Sequence, residues 1–89
     1  MLSKELTIVN RLGLHARAAA KFVNVASSCA SNVHIARNGR NVNGKSIMGV
    51  MMLAAGCGST VQISVDGPDE QEALARLEQL IADRFGEDE

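Results

Sequence analysis

Thr60-Val61-Gln62-Ile63-Ser64-Val65-Asp66 alternates without a break, and that alternation decides the architecture of the chain. Side chains of a strand point to opposite faces in turn, so Val61, Ile63 and Val65 share one face and Thr60, Gln62 and Ser64 the other. A strand that is apolar on one side belongs to a sheet covered on one side only. Gly67-Pro68 then turns the chain. Toward the N-terminus, Ser31 to Arg37 alternates in the same way, with Val33 and Ile35 on one face, and Asn38-Gly39 follows at once. This dipeptide readily takes the positive φ angles of a two-residue hairpin turn, which predicts a short third strand near Arg40 to Val42. Lys4 to Val9 carries Leu6 and Ile8 on one face and reads as the first strand.

Between these strands the period lengthens to that of a helix. Ala19, Phe22, Val23 and Ala26 fall at i, i+3, i+4 and i+7 in the stretch that opens at His15, and Ser27, Ser28 and Ser31 end it. Asn43-Gly44 turns the chain, and Ser46 stands in the N-cap position ahead of Ile47, Val50, Met51 and Ala54. Gly56-Cys57-Gly58 closes that short helix. Asp69 with Glu72 fits a capping box. Ala73, Leu74, Leu77, Leu80, Ile81 and Phe85 form one apolar stripe, predicting a long helix that ends near Gly86 with Glu87-Asp88-Glu89 frayed beyond it. The order β-α-β-β-α-β-α predicts an α+β fold: an open-faced two-layer sandwich whose four-stranded antiparallel sheet is covered on one face by three helices. No repeat, linker or low-complexity segment is visible, so residues 1–89 are expected to form a single domain.

Bulk properties narrow the function classes. At 89 residues the chain buries one modest core. Nine basic and ten acidic residues give a formal net charge of −1, which is not the footprint of a protein held to nucleic acid or acidic lipid by bulk charge. Phe22 and Phe85 are the only aromatics and read as core, so no stacking platform for single-stranded nucleic acid is available. The most apolar run, Ile47 to Gly56, is about half the roughly 20 residues a bilayer span needs. Met1-Leu2-Ser3-Lys4-Glu5 lacks the apolar region of a signal peptide. A cytoplasmic monomer without membrane insertion is expected. Cys29 and Cys57 form no CxxC pattern and read as free, buried or half-buried thiols. No metal-ligand cluster, nucleotide loop or paired-carboxylate site is apparent, and neither metal nor cofactor is expected.

Gly13-Leu14-His15-Ala16-Arg17 is the stretch that carries chemistry. It places a histidine at the turn from loop into helix and an arginine two residues later. The first backbone N–H groups of a helix, here those of Ala16 and Arg17, have no intrahelical partner, and the helix dipole adds about 0.3–1 kcal/mol for a nearby anion. The Arg17 guanidinium adds a fixed charge and a planar fork suited to phosphate oxygens. An imidazole, with an ordinary pKa of about 6.5, is largely neutral near pH 7 and offers a nucleophilic ring nitrogen. A phosphorylated imidazole is also a reactive donor. A lone histidine at a helix start is, equally, often a simple surface or capping residue.

Leu14-His15-Ala16-Arg17 followed by Ala19, together with Gly44-Lys45-Ser46-Ile47-Met48-Gly49-Val50-Met51, resembles the signature segments of the HPr family, the histidine phosphocarriers of the bacterial phosphotransferase system. The resemblance covers essentially the whole chain. It implies that enzyme I, charged from phosphoenolpyruvate, phosphorylates Nδ1 of His15, that Arg17 helps neutralise the group, and that an EIIA domain receives it. On this reading the chain is a phosphocarrier component rather than a free-standing enzyme. One departure is plain: the family usually has proline where Ala18 stands, and alanine keeps the helix while loosening its start.

Ser46 is expected to cap its helix. The same resemblance implies a second role, phosphorylation by an ATP-dependent HPr kinase/phosphorylase. Ile47, Met48, Met51 and Met52 wrap most of the way round a short helix and cannot all face a sheet, so some form an adaptable exposed patch. The resemblance points to Ile47, Met48 and Met51 as contacts for enzyme I and EIIA. His34 is expected on the surface. Lys21, Arg40 and Lys45 read either as a positive rim or as scattered surface charge. Leu12 and the Val50-to-Ala55 stretch lean toward the nitrogen-related rather than the sugar-uptake branch. The competing function is a regulatory binding module of the same fold, working mainly through Ser46.

Overall fold

In the computed structural model, which describes residues 1–87, the strand with unbroken alternation is the one on which the sheet is assembled. This strand, β4 (Thr60–Asp66), pairs antiparallel with β1 (Leu2–Thr7) on one side and β2 (Asn32–Arg37) on the other, and β2 pairs with β3 (Arg40–Asn43). The spatial order is therefore β1-β4-β2-β3. Residues facing each other across a ladder share a face of the sheet. Val61, Ile63 and Val65 thus line up with Leu6, Lys4 and Leu2 of β1, and Ile63 and Val65 with Ile35 and Val33 of β2. Lys4 lies on this covered face at the sheet's edge, and its ammonium reaches Glu78 at 2.7 Å.

Three helices lie on the same side of the sheet: α1 (Ala16–Ser27), α2 (Ile47–Met52) and α3 (Glu70–Ala82). Phe22, Val50, Leu77 and Phe85 meet the sheet's apolar face in one core, and each is fully buried. Burying such a side chain stabilises the fold by about 1.5–3 kcal/mol. The opposite face of the sheet is polar, with Glu5, Asn32, His34, Thr60, Gln62 and Asp66 exposed. The expected α+β two-layer architecture is the one observed. In the hairpin, Asn38 and Gly39 have φ of 52° and 82°, the pair of positive values a type I′ turn requires.

Five local expectations are corrected. The first strand begins at Leu2 rather than Lys4 and ends at Thr7, because β4 is long enough to pair Leu2 with Val65. Ile8 continues the backbone bonding from just outside the strand, its N–H donating to the Ser59 carbonyl at 2.9 Å. The third helix ends at Ala82 rather than near Gly86, and a separate 3-10 turn spans Arg84–Gly86. Arg84 and Phe85 there both have φ of 54°. That conformation costs a non-glycine residue roughly 1–2 kcal/mol, which burial of the Phe85 ring offsets. Of the two free thiols, Cys29 is buried as expected, whereas Cys57 is exposed on the Gly56–Gly58 loop. The expected frayed tail includes Asp88 and Glu89, which lie outside the described residues; Glu87, by contrast, is held by two hydrogen bonds.

The fifth correction concerns Asp69, which forms no capping box with Glu72. Its carboxylate instead accepts from the backbone N–H groups of Ala30 and Ser31, both at 2.9 Å, and from the Ser31 hydroxyl. The turn between α1 and β2 offers these donors with no strand to take them, and Asp69 clasps it to the start of α3. Gly67 permits the approach, since a Cβ there would lie 2.6 Å from Ser31. Among the described residues no helix is long and apolar enough to cross a membrane.

The clasp predicts a pH signature. The Ser31 hydroxyl, followed by the Ala30 N–H, holds the Asp69 carboxyl below its usual value of 3.8. A carboxylate depressed in the folded state contributes stability that is present above the unfolded value and lost as pH falls through the folded one. Asp69→Ala should therefore melt at lower temperature than the parent at neutral pH. In melts run at decreasing pH the gap should narrow below 3.8 and then close.

Candidate functional site

The loop that leads into α1 is fixed before His15 is reached. Gly13 has φ of 68°, and a Cβ there would lie 2.4 Å from the Ala55 carbonyl oxygen and 2.6 Å from Gly56 Cα. Only glycine fits this approach without displacing backbone. The next N–H, that of Leu14, donates to the Ala55 carbonyl at 2.8 Å, and the Leu14 side chain is buried. The loop before His15 is thereby tied to the chain that has just left α2.

His15 occupies the N-cap position of α1 with extended backbone, and its carbonyl accepts the Ala19 N–H at 2.8 Å. Its side chain makes no capping bond. The ring is free to point outward, and it is half-buried. Ala18 is fully buried beneath the first turn, and the helix runs unbroken for 12 residues with alanine in that position.

One face of the ring's environment is a carboxylate. His15 Nε2 pairs with Glu87 Oε2, while Glu87 Oε1 accepts from Asn10 Nδ2 at 3.0 Å. The same amide nitrogen donates to the Gly13 carbonyl at 2.8 Å, and Asn10 is fully buried. These hydrogen bonds, from Asn10 first and then His15, hold the Glu87 carboxyl below the ordinary glutamate range. An ionised carboxylate only accepts, so the shared proton sits on Nε2. A neutral ring then keeps its lone pair on Nδ1, which has no hydrogen bond among the described residues.

Around the ring lies an open cavity of about 860 Å³, lined by Arg11, Leu12, His15, Arg17, Lys21 and Glu87 among others. Arg17 is exposed and makes no hydrogen bond or ion pair among the described residues. Lys21, one turn further along α1, donates to the Phe85 carbonyl at 2.5 Å. The site therefore offers a half-buried imidazole, an uncommitted guanidinium and the first backbone N–H groups of a helix, an arrangement that can receive an anion and make a bond to it.

Ser46 caps α2 as its position in the sequence suggests, its hydroxyl oxygen accepting the Gly49 N–H at 3.2 Å. Only Val50 of α2 is buried. Ile47, Met48, Met51 and Met52 are exposed, Met48 by 69%. Leu12, at 66% exposure, lines the His15 cavity. The structure thus brings His15 and Arg17 together in one cavity. The link from Leu14 to Ala55 sets the Ser46 helix beside that cavity's entrance loop.

The three suspected rim cations separate. Lys21 lines the cavity, whereas Arg40 donates to the Met52 carbonyl at the C-terminus of α2 and Lys45 to the Cys29 carbonyl just beyond α1, each at 3.0 Å. His34 is exposed on the polar face of the sheet, as expected. Asn10, Glu87 and Leu12 went unrecognised as parts of the site. For Lys21 the signal was available, since it stands four residues from Arg17 on one helix face. Among the described residues no group of three or more His, Cys, Asp or Glu side chains could hold a metal ion.

Comparison with known proteins places the chain among related sequences and folds. Residues 2–83 match the family model described as the PTS HPr component phosphorylation site. A phosphocarrier protein HPr of Cupriavidus necator is 62% identical over 89 residues, covering all of both chains. A crystal structure of HPr-C-His from Thermoanaerobacter tengcongensis superposes with a TM-score of 0.96 at 43% identity, again over all of both chains. A phosphocarrier protein HPr from Bacillus anthracis str. Ames gives a TM-score of 0.87 at 40% identity, over 90% of this chain and 95% of that one.

The glycine contact yields a direct test. Gly13→Ala should destabilise the protein by roughly 1–3 kcal/mol, the cost of a forced positive φ. It should also displace the His15 ring, seen as a shift of its side-chain NMR signals.

Proposed function

Since the chain belongs to the HPr family of phosphotransferase-system phosphocarriers, we propose that it accepts a phosphoryl group from phosphorylated enzyme I on His15 and passes it to an EIIA domain. The observation that carries this reading is the His15 ring itself: half-buried at the start of α1, with Nδ1 unpartnered among the described residues. In this reading residues 1–89 work as one cytoplasmic carrier domain. Nδ1 is the nucleophile. Arg17, which no other group among the described residues engages, neutralises the phosphoryl oxygens, and the Ala16 and Arg17 N–H groups at the helix tip add their share. Each contact is worth about 1 kcal/mol, enough to hold the group and too little to trap it. The partners bring the rest of the chemistry.

Docking falls to Ile47, Met48 and Met51 of α2, all exposed together with Met52. Unbranched methionines adapt to different partners at low cost, which suits a carrier that meets at least a donor and an acceptor. Ser46 caps the helix that bears this surface. A phosphate there, placed by an HPr kinase/phosphorylase, brings about −1.5 to −2 charges to the docking face. A helix terminus tolerates that charge, so docking is altered more than folding.

Incubation with enzyme I and phosphoenolpyruvate tests the reading. The chain should take up one acid-labile phosphate, and His15→Ala should take up none while melting within about 0.5 kcal/mol of the parent. Arg17→Ala should slow transfer roughly tenfold, as expected for loss of a charge-assisted hydrogen bond. If only ATP-dependent phosphate on Ser46 is found, the protein is a regulatory module instead. Met48→Asp should raise the KM for the partner roughly tenfold or more, with melting unchanged, because it places a charge on the docking surface.

A further inference from the structure

We propose that Glu87 is a positioning residue of phosphoryl transfer in this chain: its carboxylate keeps the proton on His15 Nε2, leaving Nδ1 as nucleophile, and stabilises the imidazolium that forms when Nδ1 is phosphorylated. This deepens the carrier reading and rests on it.

The carboxylate is built into place from three sides. Its Oε1 takes the Asn10 amide at 3.0 Å, and that fully buried amide also fixes the Gly13 carbonyl in the loop leading to His15. Lys21 of α1 pins the Phe85 carbonyl, and the Phe85 ring is fully buried. Glu87 follows two residues later, its side chain only 14% exposed and its Oε2 on His15 Nε2. One set of side chains thus orients both the histidine loop and the carboxylate that meets it.

The chemistry follows from which nitrogen holds the proton. As phosphorus arrives, the Nδ1 lone pair forms the N–P bond. The bond from phosphorus to the donor breaks, and its electron pair leaves with the donor. Nε2 keeps its proton, so the ring becomes a cation beside the Glu87 carboxylate. Onward transfer is the reverse: the N–P bond breaks, the pair returns to Nδ1, and neutral imidazole is the leaving group. Were the Nε2 proton lost, the leaving group would be an imidazolate, which departs far less readily. Carboxylate and phosphoryl group address the two nitrogens of one ring, so the positive charge lies between them. The logic is that of the carboxylate behind the histidine in hydrolytic triads, which sets the tautomer and steadies the imidazolium without taking the proton.

The test uses the full chain and two variants, Glu87→Ala and Glu87→Gln. In the parent, ring ¹⁵N shifts of neutral His15 should report a protonated Nε2 and a bare Nδ1. Glu87→Ala should introduce a measurable Nδ1-protonated fraction and slow phosphoryl uptake from enzyme I about tenfold. Glu87→Gln keeps an acceptor without the charge. It should hold the parental tautomer yet still lose rate, a split that a purely structural role would not produce. Both variants should keep the parent's cooperative melt, shifted somewhat to lower temperature by the lost bonds to Asn10 and His15. Ring signals or a rate unmoved in Glu87→Ala would overturn the proposal while leaving the carrier reading intact. A parent chain that takes no phosphate on His15 would overturn that reading itself.

Discussion

Two ladders of backbone hydrogen bonds meet on β4, and everything else in the molecule is arranged by the side on which that strand is apolar. Because Val61, Ile63 and Val65 all face one way, their partners on β1 and β2, Lys4 at the edge apart, present apolar groups the same way, and the helices must cover that side. A slip of one residue in either ladder would turn these side chains into water. The constraint reaches the functional site through packing. With α1 and α2 on the same layer and in contact, the loop before His15 passes the end of α2, and the Leu14–Ala55 bond joins them. A reactive ring and an adaptable apolar surface are neighbours as a consequence of one-sided burial.

The site built on that frame is shallow. An open cavity, a half-buried ring, the Arg17 guanidinium and a helix tip give several small attractions rather than a closed cage. Tight ground-state binding of a group that must leave again would deepen a well without lowering a barrier. A small chain with a thin core has no room for a deep cleft in any case. In the proposed carrier role size and chemistry agree: the protein would contribute an oriented nucleophile, and a larger partner the walls.

Much of the fold was legible in the sequence because strands with a period of two and helices with a period near four are local signals. The alternation of β4, the Asn38-Gly39 hairpin and the Ser46 cap all depend on residues a few positions apart. The end of α3 was illegible for a physical reason. Phe85 stands four residues after Ile81, so a continued helix and a tight turn both bury its ring, and periodicity does not separate them. Asp69 misled because a capping box and a clasp on another turn use the same carboxylate, and only the fold brings Ala30 and Ser31 within its reach. His15 and Arg17 were legible as a local pair, and the match to known phosphocarriers raised them above a surface histidine. Glu87 was not, since it meets His15 across 72 residues and Asn10 across 77. No local pattern encodes a contact of that separation.

The bare side of the sheet divides labour within so small a protein. Exposed Asn32, His34 and Gln62 there stand a full layer away from α1 and α2, since a sheet and the elements packed on it are about 10 Å apart. Exchanges at such solvent-facing positions change hydration more than packing and are worth within about 0.5 kcal/mol. That surface is accordingly a handle: a fluorophore or a tether fixed there leaves the helical side unobstructed, and the molecule can be watched or immobilised while His15 stays clear of the attachment.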